Sequence, residues 1–416
     1  MSSGPELARR LGTGDAVVIG LGSMIGAGVF AAYAPAARAA GAGLLIGLTL
    51  AAAVAYCNAT SSAQLAAQYP ASGGTYVYGR ERLGPWWGFL AGWAFLVGKT
   101  ASCAAMALTF VAYTVPSEWQ RPAAVIAVLA LTAVNYRGIT RTAWLTRVIV
   151  AVVLLALGLA VLASFAGGDP DPSRLSVWTG GTSVYGVLQS AGLLFFAFAG
   201  YARIATLGEE VRDPERTIPR AIPLALGLAV CVYAVVAVTL LLTLGAPRIA
   251  DSAAPLAAAV HSGSWDGVAP VVGIGAAAAS LGALLALIAG ISRTGLAMAR
   301  EGDLPRWLSA VHPRYRVPHR AELVLAAAVC LLVLTVDLRD AIGFSSFGVL
   351  LYYFVANLAA FSQPADRRRW PRVLQVAGAA GCLVLVATLP WTAVVAGVSV
   401  LAVGALYRAV RLRGSR

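Results

Sequence analysis

Charge is scarce in this chain. Only 12% of its 416 residues are Asp, Glu, Lys or Arg, 59% are hydrophobic, and mean hydropathy is +0.78. A soluble domain needs more polar surface than that. Lysine is nearly absent, with Lys99 the single example. The three histidines, His261, His312 and His319, fall between apolar runs, so none is placed to relay protons at mid-membrane. Cys57, Cys103, Cys231, Cys330 and Cys382 all lie inside apolar runs, which argues against a disulfide framework and for small packing residues. Long polar stretches are missing too. The two longest, 66–85 and 299–320, read as loops, so no water-soluble domain is expected. Without one, the net charge of +13 has no soluble face on which to form a nucleic-acid patch.

What is present is membrane. Twelve apolar runs are candidate spans: 16–37, 42–65, 86–115, 122–138, 144–166, 184–208, 222–245, 268–298, 321–336, 341–361, 373–389 and 391–409. The first follows a short Arg-containing tail, which does not read as a cleavable signal peptide. If the N-terminus is cytoplasmic, the inner segments hold 23 arginines and the outer loops 5. That bias places both termini in the cytoplasm and the chain in the cell membrane as a multi-pass protein. The same topology assigns all 18 acidic residues to loops or edges, 11 inside and 7 outside, leaving no mid-membrane carboxylate. Without a mid-membrane His, Asp or Glu, no catalytic residues, metal site or cofactor are expected, and an integral-membrane enzyme is the least favoured class.

Two spans are weak at their centres. Span 1 contains GLGSMIGAGVF, with Gly20, Gly22, Gly26 and Gly28 in nine residues. Span 6 contains FFAFAGYARIATLGEEV, with Gly200 at mid-depth. The two lie at a repeat of five spans, and an odd unit must re-enter the membrane upside down. Matched interruptions in two halves point to an inverted-repeat transporter. The expected organisation is all-α: a first five-helix repeat at 1–166, an inverted one at 184–361, and two additional helices with a tail at 373–416. A broken helix frees N–H and C=O groups, which lipid does not tolerate but a polar ligand satisfies. The N-terminus of the second half of span 1 suits a carboxylate. Freed carbonyls suit an ammonium group.

The chain resembles the amino acid–polyamine–organocation permeases over nearly its whole length. The resemblance is carried by GSMIGAGVF in span 1, YPASGGTYVYGRERLGPWWGFLAGW after span 2, NYRGITRTAWL before span 5, FFAFAGYARIATLGEEVRDPERTIPRAI through span 6, and SRTGLAMAREGDLPRWLSAVHPRYRVPHRA after span 8. It implies secondary transport of amino acids or related amines on a five-plus-five fold. By motif, the substrate carboxylate would meet the N–H groups of Gly26, Ala27 and Gly28. The amino group would meet carbonyls of Ile25, Phe196, Ala197 and Ala199. Phe198 and Tyr201 would form an aromatic gate or pocket wall, or else pack. Valine at Gly26 or Gly28 would then block the ligand while leaving the fold intact.

The departures bear on substrate and coupling. Where the family often has an acid after the span 6 Gly-aromatic pair, this chain has Ala202. Where it commonly has a span 5 lysine linked to proton coupling, this chain has Val153. Lys99, in span 3, is a candidate for that missing charge, the alternative being a bond to a neighbouring carbonyl. Arg203, beyond the span 6 break, could serve an anion or pair with Glu209 or Glu210. Those two acids are gating candidates at the span 6 exit, and Asp213-Pro214 and Ile218-Pro219 are expected to limit helix there. Ser280 in span 8 is the nearest hydroxyl for a sodium site, although a bond to its own helix backbone is favoured. The reading is a permease for an amino acid or close derivative, with a neutral substrate favoured and a proton or exchanged substrate as the coupled partner. The alternatives are an anionic amino acid or organic acid, and a membrane receptor without net transport.

Overall fold

The computed structural model describes residues 11–69, 73–138, 143–166, 170–177, 182–207 and 210–414. The described residues form helices, joined by one isolated parallel bridge between Leu11 and Val211. In chain order the α-helices are α1 (Thr13–Met24), α2 (Gly28–Ala31), α3 (Tyr33–Ala40), α4 (Leu44–Gln68), α5 (Gly74–Leu83), α6 (Pro85–Thr114), α7 (Gln120–Tyr136), α8 (Ala143–Phe165), α9 (Val184–Phe198) and α10 (Ala202–Ala205). They continue with α11 (Pro214–Asp251), α12 (Pro255–His261), α13 (Ala269–Arg300), α14 (His319–Thr335), α15 (Leu338–Phe361), α16 (Arg372–Thr388) and α17 (Trp391–Gly414). Each expected apolar run coincides with helix. Nine helical stretches among the described residues are long and apolar enough to cross a membrane. Helices α7, α14 and α16 have 17 residues each. Helix is the natural answer to apolar surroundings, since it satisfies its own backbone.

Three local expectations are corrected. The segment 66–85 is mostly helix rather than loop: α4 runs to Gln68 and α5 fills Gly74–Leu83. Gly84, at φ +102, then turns the chain into Pro85 at the start of α6. The helix after the span 6 exit is not limited by Ile218-Pro219. It begins at Pro214 and passes through Pro219 and Pro223. Glu215, whose carbonyl Pro219 cannot bond, is exposed, so water can satisfy it. Finally, two carboxylates are buried against expectation. Asp303 is 5% exposed and Glu322 2%.

Helix α6 is the axis of the packing, with α13 on one side and α15 on another. Small residues set the approach: a Cβ on Gly348 would lie 2.6 Å from the Ala94 carbonyl oxygen. Asn357 ties α15 to α4, bonding Asn58 at 2.6 Å and Ser61 at 2.7 Å. Asp303 gathers Tyr76 Oη at 2.9 Å, Arg80 at 3.4 Å and Arg408 of α17. The side chain of Arg408 also lies over the rings of Trp86 and Phe89, at 5.1 and 4.8 Å.

Candidate functional site

Both weak spans are interrupted where their glycines lie. Helix α1 ends at Met24, because Ile25 leaves helical geometry at φ −77, ψ 56. Helix resumes at Gly28, and Ala32 stays in the right-handed region, so α2 and α3 act as one second half. On the other span, α9 ends at Phe198, a single 3₁₀ turn covers Ala199–Tyr201, and α10 follows. The two breaks face each other. A Cβ on Gly200 would overlap the Ser23 carbonyl and sit 2.6 Å from the Met24 nitrogen, and one on Gly28 would lie 2.6 Å from Ala197 Cα.

One side chain fastens the two breaks. The Tyr233 hydroxyl of α11 lies 2.7 Å from the Met24 carbonyl and 2.9 Å from the Ala197 carbonyl. Its ring packs edge-on against Phe198 at 5.0 Å. Sequence reasoning missed Tyr233, because a tyrosine in an apolar run carries no local mark of a partner in another helix. Tyr233→Phe should keep the fold but lower thermal stability by about 1–3 kcal/mol, since two buried carbonyls lose their shared donor. Scanning fluorimetry in detergent measures the loss. An unchanged melting temperature would show that the carbonyls find another donor.

A cavity of ≈ 390 Å³ lies beside the breaks, within the size range of small-ligand sites. Its lining includes Gly26, Ala27 and Gly28 of the first break and Phe196, Ala197 and Ala199 of the second. Lys99, Arg203, Glu210, Arg293 and Thr294 also line it. In the first turn after the break, Phe30 is 1% exposed, its ring edge-on to Tyr113 at 5.5 Å, and Tyr113 Oη bonds the Phe30 carbonyl at 2.9 Å.

The expected site residues divide. The N–H groups of Ala27 and Gly28 make no hydrogen bond among the described residues, whereas Gly26 N–H is taken by the Met24 carbonyl at 2.8 Å. Gly26 is therefore corrected from donor to wall. The Ala197 carbonyl accepts from Tyr233, and the Ala199 carbonyl from Lys99 Nζ and Tyr353 Oη, both at 3.3 Å. Ile25 is buried outside the lining. Phe198 and Tyr201 are also outside it: Phe198 packs on Tyr233 and Tyr201 stacks on Tyr353 at 5.0 Å. Both rings are fully buried and pack in the core. Valine at Gly28 cannot leave the fold intact, since it would strike the Ala197 backbone.

Lys99 is 7% exposed and bonds the carbonyl of the broken helix. Its charge thus sits at the C-terminal, negative end of α9. Arg203 lines the cavity and bonds Thr206 Oγ1 at 3.4 Å. Glu210 lines it too, while Glu209 lies outside the described residues. Ser280 is fully buried and its hydroxyl meets no partner among the described residues, which corrects the expected bond to its own helix.

The model of the amino acid permease family matches residues 15–416. The chain belongs to that family. A transporter of Mycobacterium tuberculosis without an assigned substrate is 62% identical over 406 residues, covering 98% of this permease and 92% of the relative. The branched-chain amino acid permease of Bacillus subtilis is 27% identical, covering 94% and 90%. A chloroplastic cationic amino acid transporter, number 7, of Arabidopsis thaliana is 29% identical, covering 86% and 66%. The permease is thus a membrane transporter rather than an enzyme.

Proposed function

We propose that this permease carries a neutral amino acid by alternating access. In this reading there are twelve spans, arranged as inverted repeats at 1–166 and 184–361 with an appended pair at 373–416. Both termini are cytoplasmic, and the cavity opens toward the cytoplasm. The observation that carries the reading is the pair of N–H groups on Ala27 and Gly28 without an acceptor among the described residues, at the start of the second half of span 1 and facing the cavity. They await an acceptor, and a substrate carboxylate supplies one. The amino group then reaches a carbonyl at the breaks, that of Phe196 on the cavity wall, since the carbonyls of Ala197 and Ala199 already have donors.

Charge supports neutral over basic substrates. Lys99, Arg203 and Arg293 line the cavity, with Glu210 the one carboxylate among its described lining residues. A lysine or arginine side chain would enter an unfavourable field. The same lining favours a second reading, an anionic substrate. Counterflow into proteoliposomes, with unlabelled neutral, acidic and basic amino acids as competitors, separates the two. Neutral competitors are expected to be strongest. Stronger competition by aspartate and glutamate would establish the second reading, strongest competition by basic amino acids would overturn both, and binding without accumulation would indicate a receptor.

Of the three basic residues in the lining, Lys99 is the one that bonds a carbonyl at the span 6 break. Methionine there leaves the Ala199 carbonyl without its ammonium donor and removes the cation from the cavity wall. Lys99→Met should therefore lower uptake about tenfold, the scale of one lost charge-assisted hydrogen bond. Lys99→Arg should not restore it fully, because the larger planar head does not fit the same carbonyl. Equal uptake by wild type and Lys99→Met from acidic to alkaline pH would reduce Lys99 to a packing residue.

A further inference from the structure

Glu322 is the buried carboxylate that the arithmetic of the sequence assigned to the cytoplasmic edge. It stands in the first turn of α14, where its backbone N–H bonds the Pro318 carbonyl at 3.0 Å. The side chain is 2% exposed, and Oε2 meets no hydrogen-bond donor. No ion pair is formed by it among the described residues. An ionised carboxylate buried in this manner is costly.

Helix α14 packs against α6, α7, α13 and the short turn Arg306–Ser309. Titratable groups on those elements include Lys99, Cys103 and Tyr113 on α6, Tyr136 on α7, Arg300 at the end of α13, and Arg306 on the turn; Arg137 follows α7, and His319, Arg320 and Cys330 share α14 itself. Helix α13 meets the start of α14 at this point, since a Cβ on Gly295 would lie 3.9 Å from Ala321 Cβ, and the charge it brings toward Glu322 is that of Arg293, two residues before Gly295. Arg293 is exposed where it lines the cavity, and it too makes no ion pair among the described residues. Beyond it lie Arg203 and Glu210, on the exit of the broken span 6.

We propose that Glu322 is the proton-binding site of the transport cycle and that Arg293 reports its state to the cavity. The step is one protonation. With a proton on its carboxyl, Glu322 is neutral and tolerates burial, and the Arg293 guanidinium faces the cavity. When the proton leaves to water, the carboxylate needs a cation, and Arg293 turns from the cavity to pair with it. Proton occupancy thereby sets the charge presented to the substrate and to Glu210. This gives the chain a coupling group on span 9, where neither a span 5 lysine nor Lys99 is required for the proton.

The proposal rests on the permease reading, and the experiment separates the two. Proteoliposomes in sodium-free buffer, loaded with a pH-sensitive dye, receive an equimolar mixture of the proteinogenic L-amino acids. Wild type is expected to show proton entry with the mixture and radiolabelled counterflow of it. Glu322→Gln should lose at least about tenfold of the proton entry while keeping counterflow within about two-fold, because glutamine mimics the neutral acid. Undiminished proton entry in Glu322→Gln overturns the assignment, as does wild-type counterflow without proton entry. Absence of wild-type counterflow would instead refute the permease reading. Should Glu322→Gln fail to fold, dicyclohexylcarbodiimide on wild type decides the matter, since it modifies protonated carboxyls in apolar surroundings. A mass adduct at Glu322 that fades as pH rises is expected, and its absence overturns the proposal.

Discussion

Alanine at Gly200 is expected to abolish transport and to destabilise the protein by more than about 3 kcal/mol, beyond ordinary overpacking. Its added carbon would overlap the Ser23 carbonyl carbon and oxygen and lie 2.6 Å from the Met24 nitrogen. All three are backbone atoms at the end of α1, so no side chain can rotate away. The end of α1 would have to withdraw, and with it the Met24 carbonyl that Tyr233 holds together with Ala197. Gly26→Ala is the comparison. There the new carbon would lie 3.1 Å from Ala283 Cβ, a contact that a few tenths of an ångström relieve. That variant should fold, with reduced counterflow because the methyl enters the cavity wall. Melting temperatures of both variants in detergent, followed by counterflow, test the contrast. Equal stability of Gly200→Ala and wild type would mean that the two breaks are not in contact.

Asp303→Ala is the second large effect, at about 3–5 kcal/mol, the usual cost of removing one partner from a buried ion pair. Arg408 and Asp303 have side chains only 7% and 5% exposed. Without the carboxylate, Arg408 keeps only the faces of Trp86 and Phe89, which compensate a cation partially. Tyr76 Oη loses its acceptor as well, and Tyr76 is part of the cavity wall. The destabilisation should therefore be accompanied by weaker transport, through α5 rather than through substrate contact. A double-mutant cycle with Arg408→Leu measures the pair: the double variant should be more stable than Asp303→Ala alone, since no buried charge is left over. Additive losses would show that Arg408 and Asp303 act independently.

The contrast between these residues and the rest shows where sequence reading succeeds. Residues 20–28 and 195–203 announced their breaks because glycine at mid-span is a local property of the chain. Lys99 announced itself by being alone. Asp303 and Glu322 were misplaced because counting assigns a charged residue near a span end to water, whereas its exposure depends on which helices cover it. Phe198 and Tyr201 were candidates for a cavity wall by resemblance, with packing as the alternative, and only the neighbours Tyr233 and Tyr353 show that their rings pack. Glycines told only half their story as well: Gly26, Gly28 and Gly200 all border the cavity, and at Gly28 and Gly200 the missing side chain also lets two backbones touch.

Sequence by itself determined that this chain is helical and membrane-embedded, that two of its spans are interrupted, and that it resembles amino acid permeases. Those properties follow from hydropathy, glycine placement and motif, each readable within a window of a few turns. Tertiary structure alone decided which freed groups remain free. Tyr233 occupies the Ala197 carbonyl, Lys99 the Ala199 carbonyl and Met24 the Gly26 N–H, leaving the N–H groups of Ala27 and Gly28 without an acceptor among the described residues. It also decided that Glu322 is buried near Arg293. The physical reason is that a hydrogen bond or a desolvated charge is a property of two groups at a distance. Tyr33 and Tyr233, 200 positions apart, meet only when α3 and α11 pack together.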